Sequence, residues 1–281
     1  MITDAFKRTC HNLLRDPQFS LLNLLGLSTG LACAIFIYLW VTDELHIDKF
    51  NLNDERLYQV MINAKTAEGI QTVGYTPGLL SDALQKEIPE VDYAASVIPS
   101  TWFSNKGLVS FADKHLRVAA QFVSRDYFKV FSLDFLSGDK YKLASARNDI
   151  AISEDLAKLL FPSGTQILGK SVEFNQEGFS GNYIIAGIFK KLPPNSTMQF
   201  DIIFNYDLFL EKNPKLQQWT NNDPDTYLML KKGTRAEKVN KKIEGFLKGK
   251  DKTLQRPFLF KDSQIDISLI TMKMASLPGG G

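Results

Sequence analysis

The sequence predicts an α+β domain carried behind a single membrane-spanning helix. Three observations predict it: one long uncharged segment near the N-terminus, short β-branched and aromatic runs that alternate with amphipathic helical stretches, and no second long apolar segment afterwards. The 281 residues are 44% hydrophobic and 23% charged, which supports a sizeable core and excludes collagen-like, coiled-coil and disordered classes. A formal net charge of +2 leaves no electrostatic footprint for nucleic acid. Cys10 and Cys33 cannot build a disulfide scaffold, and His11, His46 and His115 lie too far apart in sequence for a metal motif. No metal, cofactor or catalytic residue is expected.

Residues 2–15, ITDAFKRTCHNLLR, place Phe6, Cys10 and Leu13 or Leu14 on one side and Lys7, Arg8 and Arg15 elsewhere. That pattern suits a short amphipathic helix, within residues 1–18, lying on the cytoplasmic membrane surface. Pro17 separates it from the span. Phe19 to Thr42 is then 24 residues without a formal charge. At 1.5 Å per residue this is about 36 Å of helix, enough to cross a hydrocarbon core of roughly 30 Å with some tilt. Lys7, Arg8 and Arg15 precede it; Asp43, Glu44 and Asp48 follow it, so the basic N-terminus is expected in the cytoplasm and the main domain outside. A cleaved signal peptide fits less well: the apolar run exceeds an ordinary h-region and no A-x-A-like site closes it. Gly26, Gly30 and Ala34 recur at four-residue spacing, a face along which another helix could approach closely. Glycine is also frequent in membrane helices generally, and the spacing alone leaves both readings open.

Beyond the span, Leu57 to Ala64 reads as a half-buried strand, Thr76-Pro77-Gly78 opens a helix that runs to Glu87, and Val91 to Ile98 is a second strand. Thr226 to Lys231, a helix from Ala236 to Leu247 and a strand near Phe258 to Phe260 repeat that order. Between the two units, strands are expected at Leu108 to Phe111, Leu116 to Val123, Ser171 to Phe174 and Tyr183 to Phe189, with helices at Arg125 to Phe131 and Ser153 to Phe161. Ser153 with Glu154 and Asp155 supplies a cap and favourable charges to the second helix. Lys190-Lys191-Leu192-Pro193-Pro194 reads as a loop near the exit from this middle part.

Gly164-Thr165-Gln166-Ile167-Leu168-Gly169-Lys170-Ser171 satisfies the phosphate-loop pattern. Such a cradle needs a strand delivering the glycines and a helix beginning at the Lys-Ser, so that backbone N–H groups and the helix dipole face the anion. Here a helix precedes the segment and Val172-Glu173-Phe174 alternates like a strand, so Gly164 to Ser171 is read as a turn. Asp225 with Glu211, or Asp149 with Glu154, are carboxylate pairs with no spacing that defines an acid–base site. Tyr127, Phe128 and Phe131 at helical spacing are read as core.

The order of these segments resembles the MacB/FtsX-like ABC transporter permeases, particularly the long type common in Bacteroidetes. The likeness runs through HNLLRDPQFSLLNLLGLSTGLACAIFIYLWVTDELHIDKFN, ERLYQV, TPGLLSDALQKEIPEV, VAAQFVSRDYFKVFSLDFLSGD, DIAISEDLAKLLFP, ILGKSVEF, IIAGIFKKLPPNSTMQFDIIF and TYLMLKKGTRAEKVNKKIEGFL. It implies that residues 43–281 form a MacB-like periplasmic core domain, its porter-like part near 50–100 and 200–270 and an inserted mixed α+β subdomain near 101–199. It also implies a bacterial inner membrane location, a separate ABC ATPase, a second permease copy and an extracytoplasmic partner protein. The outer domain would pass on motion and do no bond chemistry. Gly26, Gly30 and Ala34 would then pack helices, and Phe6, Lys7, Arg8 and Arg15 would face the ATPase. The family has at least three further spans after the core domain, so the ending MKMASLPGGG leads us to expect a fragment or truncated product. A single-pass sensor binding a small ligand outside the cell is the rival reading.

Overall fold

A computed structural model of the chain describes residues 17–45, 51–66, 69–143, 146–194, 196–250 and 257–261. The chain divides into two compact units, residues 1–47 with 265–281, and residues 48–264. In the first, the described element is one helix, Pro17–Leu45, longer at both ends than the uncharged run. Proline is tolerated at a helix start, where its missing N–H has no intrahelical partner to lose. The helix is long and apolar enough to cross a membrane, and its Leu, Ile, Phe and Trp side chains point outward. Three of its hydroxyls are satisfied internally: Ser28 and Thr29 donate to the Leu25 carbonyl at 3.0 and 2.7 Å, and Thr42 donates to the Tyr38 carbonyl at 2.8 Å. That is what lipid requires of a polar side chain.

Among its described residues the second unit is built on fourteen strands, which are β1 Leu57–Thr66, β2 Gly69–Val73, β3 Tyr75–Pro77, β4 Val91–Ile98, β5 Gly107–Phe111, β6 Lys114–Val118, β7 Ala120–Val123, β8 Phe135–Gly138, β9 Asp149–Ser153, β10 Ser171–Asn175, β11 Gly181–Phe189, β12 Ile202–Asn205, β13 Asn222–Leu230 and β14 Pro257–Lys261. They form one sheet in the order β14-β1-β13-β4-β7-β12-β9-β11-β10-β5-β6, with β2, β3 and β8 as side branches.

The two strand–helix–strand units interlock at one end of this sheet. β13 lies antiparallel between β1 and β4, and β14 adds antiparallel outside β1, so neither unit pairs its own two strands. This is the split βαβ arrangement. Helices Leu80–Glu87 and Ala236–Ile243 bury Leu80, Leu84, Val239 and Ile243 in one cluster with Val60 and Leu228. The second helix is shorter than its periodicity predicts: it breaks at Glu244-Gly245 and resumes as Phe246–Lys250. Glycine weakens a helix where it stands.

In the middle part the predicted strand Leu116 to Val123 divides into β6 and β7 at Ala119. The Ala119 N–H donates to the Asp201 carboxylate at 2.8 Å, and its carbonyl accepts the N–H groups of Asp201 and Ile202. β6 therefore pairs with β5, while β7 turns to pair with β12 in parallel and β4 in antiparallel register. β9 and β12 are central and fully buried; their short apolar runs, with no alternation, had no distinct strand signal. Helix Glu154–Leu160 is capped as predicted, with the Leu156 N–H donating to Ser153 Oγ at 3.2 Å.

Two further clusters fill the middle. One is aromatic: Phe122, Phe174, Phe179, Phe204 and Phe209 lie at ring separations of about 5 Å, Phe122 stacking on Phe204 and Phe179 on Phe209. The other joins both parts of the sheet, bringing Leu57, Val97, Tyr227 and Met229 against Phe128, Phe131, Phe189 and Ile203. Tyr127, Phe128 and Phe131 are buried there, in the core.

Candidate functional site

On the membrane helix, Gly26, Gly30 and Ala34 are exposed, and a Cβ added at either glycine would meet nothing within 4 Å. Phe6, Lys7, Arg8 and Arg15 lie outside the described residues.

The segment Gly164 to Ser171 takes two left-handed turns, at Gly164 (φ 80°) and Gly169 (φ 84°), then passes directly into β10 at Ser171. Several of its peptide groups are engaged within the domain. The Gly169 N–H donates to the Ile185 carbonyl at 2.8 Å, the Lys170 N–H donates to Ile167, and the Ile185 N–H returns to the Lys170 carbonyl. The helix start that a phosphate cradle uses is absent from this segment, and its peptide groups pin the turn to β11 instead.

The carboxylates considered above go to separate places. Glu211 is ion-paired with Arg147 at 2.7 Å, Glu154 with Lys158, and Asp225 sits on β13 between Tyr75 and Val97. Burial pushes Asp225 up to about 6 from the ordinary 3.8. Buried polar contacts join Thr76 of β3 to Thr226 of β13, and Ser81 of the helix Leu80–Glu87 to Ser96 of β4, each at 2.7 Å. Glu90, held by Lys242 and then Lys238, is drawn down to about 2.

A cavity of about 620 Å³ opens beside Trp102 and is lined further by Lys106, Gln176, Glu177, Phe179 and Lys212. Trp102 is 43% exposed and stands edge-on to Phe209 at 5.2 Å. Gln176 is buried; its Nε2 donates to the Asn105 carbonyl at 2.7 Å, which leaves Oε1 without a hydrogen-bond partner among the described residues. Three segments distant in sequence meet here: β5 pairs with β10, and the helix Tyr206–Lys212 packs Phe209 against Trp102 and Phe179. That pairing had no sequence signal, and neither did the cavity.

Comparison with known proteins places the whole arrangement. Residues 20–246 match the family model of the MacB-like periplasmic core domain, from the membrane helix through the last strand–helix pair. Solved structures share the fold. A domain assigned to a permease protein from Porphyromonas gingivalis has TM-score 0.63 at 19% identity, over 80% of this chain and 98% of that one. The periplasmic region of MacB from Actinobacillus actinomycetemcomitans has TM-score 0.53 at 13% identity, over 80% and 94%. The extracellular domain of the ABC-type transporter YknZ from Gram-positive bacteria has TM-score 0.53 at 13% identity, over 73% and 99%. No curated protein matches the chain. With an apolar helix followed by an interlocked double strand–helix–strand sheet that carries a mixed α+β middle, and with 227 consecutive residues under the family model, the chain belongs to the MacB-like periplasmic core domain family.

Proposed function

We propose that this chain is the anchoring and periplasmic part of an ABC transporter permease that carries the motion of a separate ATPase to partners outside the cell. The observation that supports it is the family match, which takes in the membrane helix and the sheet domain together. On this reading the helix sits in the inner membrane with its N-terminus in the cytoplasm. Residues 2–15, with Phe6, Lys7, Arg8 and Arg15, face the ATPase, and Gly26, Gly30 and Ala34 pack against a helix of a second permease copy. Motion passes because one continuous sheet joins the flanking strand–helix–strand units to the inserted middle, which offers its surface to a periplasmic partner. A mechanical role also needs a bistable assembly, in which ATP binding favours one arrangement of the anchors.

The test is affinity purification of the full chain from its native membrane, followed by mass spectrometry and disulfide crosslinking between helices. Recovery of an ABC ATPase, lost on Lys7→Glu with Arg8→Glu, is the expected result. Gly26→Ile with Gly30→Ile should weaken the helix crosslink. A preparation free of any ATPase overturns the permease reading.

A single-pass sensor is the second reading, and the cavity beside Trp102 is what favours it. Saturable binding of a small molecule that quenches Trp102 emission, in a chain that recruits no ATPase, would decide for it.

A further inference from the structure

Leu52 is the most exposed large apolar side chain among the described residues of the sheet domain, at 92%, yet its backbone is held firmly. Its N–H donates to Ser132 Oγ at 2.9 Å, and the neighbouring Asn51, which is buried, accepts the Ser132 N–H on Oδ1 at 3.1 Å. The side chain therefore projects from a pinned turn. It borders two cavities. One, about 490 Å³, is lined by Lys231 and Lys232 together with Arg56; the other, about 240 Å³, by Lys190 and Lys191. The two lysine pairs follow the ends of β13 and β11, in LMLKKGT and GIFKKLP. Lys191 is engaged by Asp155 at 2.7 Å and Arg56 by Asp92 at 3.4 Å. Lys190, Lys231, Lys232 and the nearby Arg235 make no ion pair among the described residues, against the acids Asp54, Glu55 and Asp134 of the same region. In sequence, Asn51 follows the membrane-spanning helix after only residues 46–50.

We propose that this turn is a membrane-surface contact: Leu52 enters the headgroup layer of an anionic phospholipid leaflet while Lys190, Lys231, Lys232 and Arg235 meet its phosphates. An exposed apolar residue between cations is what an interfacial contact uses, because the apolar part gains by leaving water and the lysines gain from the negative surface potential. Only five residues of sequence separate Asn51 from the end of the membrane-spanning helix, a reach of about 20 Å at most, and on the anchored reading this favours a bilayer over a protein as the occupant. The contact would set how far the sheet domain can rise or tilt when the anchors move, and it rests on the membrane-anchored part of the reading above.

The experiment uses the full chain with Cys10→Ser, Cys33→Ser and Leu52→Cys, the new thiol carrying bimane, reconstituted into vesicles that contain a headgroup-proximal spin-labelled lipid. Vesicles of phosphatidylcholine alone are compared with vesicles containing phosphatidylglycerol. A label at Leu108→Cys, on β5 near the far end of the strand order, is the reference. Stronger quenching at position 52 in the anionic vesicles is expected. It should be lost on Lys190→Glu, Lys231→Glu and Lys232→Glu together, and lost in about 1 M salt, where the Debye length is roughly 3 Å. Equal quenching in the two lipids, or quenching indifferent to charge reversal, overturns the proposal. So does shielding of the label in detergent by a second copy of the chain. Flotation with the vesicles reads the anchor separately: protein that floats without quenching at position 52 removes this contact alone, whereas protein that does not float removes the anchored reading as well.

Discussion

Asp225 shows how one buried group sets a pH response. It and Gln59 close over Gly74, where an added Cβ would lie 3.2 Å from Asp225 Oδ1, and burial alone raises its pKa to about 6. The folded chain therefore holds this proton more tightly than the unfolded chain between pH 3.8 and about 6. Stability contributed by the neutral acid is full below the lower value and falls as pH rises through the window. Asp223 is raised in the same direction by burial, opposed by its bond with Trp102. Asp225→Asn should stabilise the domain by on the order of 2 kcal/mol at about pH 7.5 and by much less near pH 4. Urea unfolding of both proteins at the two pH values checks it; an equal gap at both would remove the assignment. At Gly138 (φ 88°) the backbone itself decides, because a Cβ would lie 2.1 Å from the Ala186 carbonyl oxygen. Gly138→Ala should lower the melting temperature through strain that repacking of side chains cannot relieve.

Among elements, the helix Glu154–Leu160 and strand β7 test different forces. The helix is short, so its cap matters: Ser153→Ala should cost about 1 kcal/mol and Ser153→Asp should recover most of it, read by thermal unfolding. β7 holds its place through packing. Phe122 is fully buried, stacked on Phe204 and in contact with Phe179 and Phe209, and its strand is the bridge between β4 and β12. Phe122→Ala should cost roughly 3–5 kcal/mol, the range for a large aromatic removed from a core. A loss under about 1 kcal/mol would mean that the bridge is held by its backbone ladder instead.

For the sheet domain as a whole, the question is whether the flanking units and the middle unfold together. β4 meets β7 over only Val97↔Val123 and Ile98↔Phe122, a narrow backbone junction. A shared core covers that junction, with Tyr227 edge-on to Phe131 at 4.9 Å. Burial common to both parts couples their stabilities, so a single calorimetric transition is expected for the domain. Trp219 packs with the flanking cluster and Trp102 with the aromatic cluster, so fluorescence can follow each part. Separate transitions, or Phe131→Ala affecting one part alone, would show that the junction is a hinge.

The apolar anchor, both strand–helix–strand units and the Ser153 cap were legible because each depends on local pattern: an uncharged run of membrane length, apolar spacing of 3.6 or 2, and a capping residue before a helix. The turn character of Gly164 to Ser171 was legible for the same reason, since its strand-like continuation is local. Tertiary structure alone decided that β13 inserts between β1 and β4, that the strand predicted over 116–123 divides at Ala119, and that Lys190-Lys191 and Lys231-Lys232 border the same exposed leucine. These depend on pairings between segments tens of residues apart, such as Asp201 with Ala119, whose energies come from contacts that no window along the chain contains.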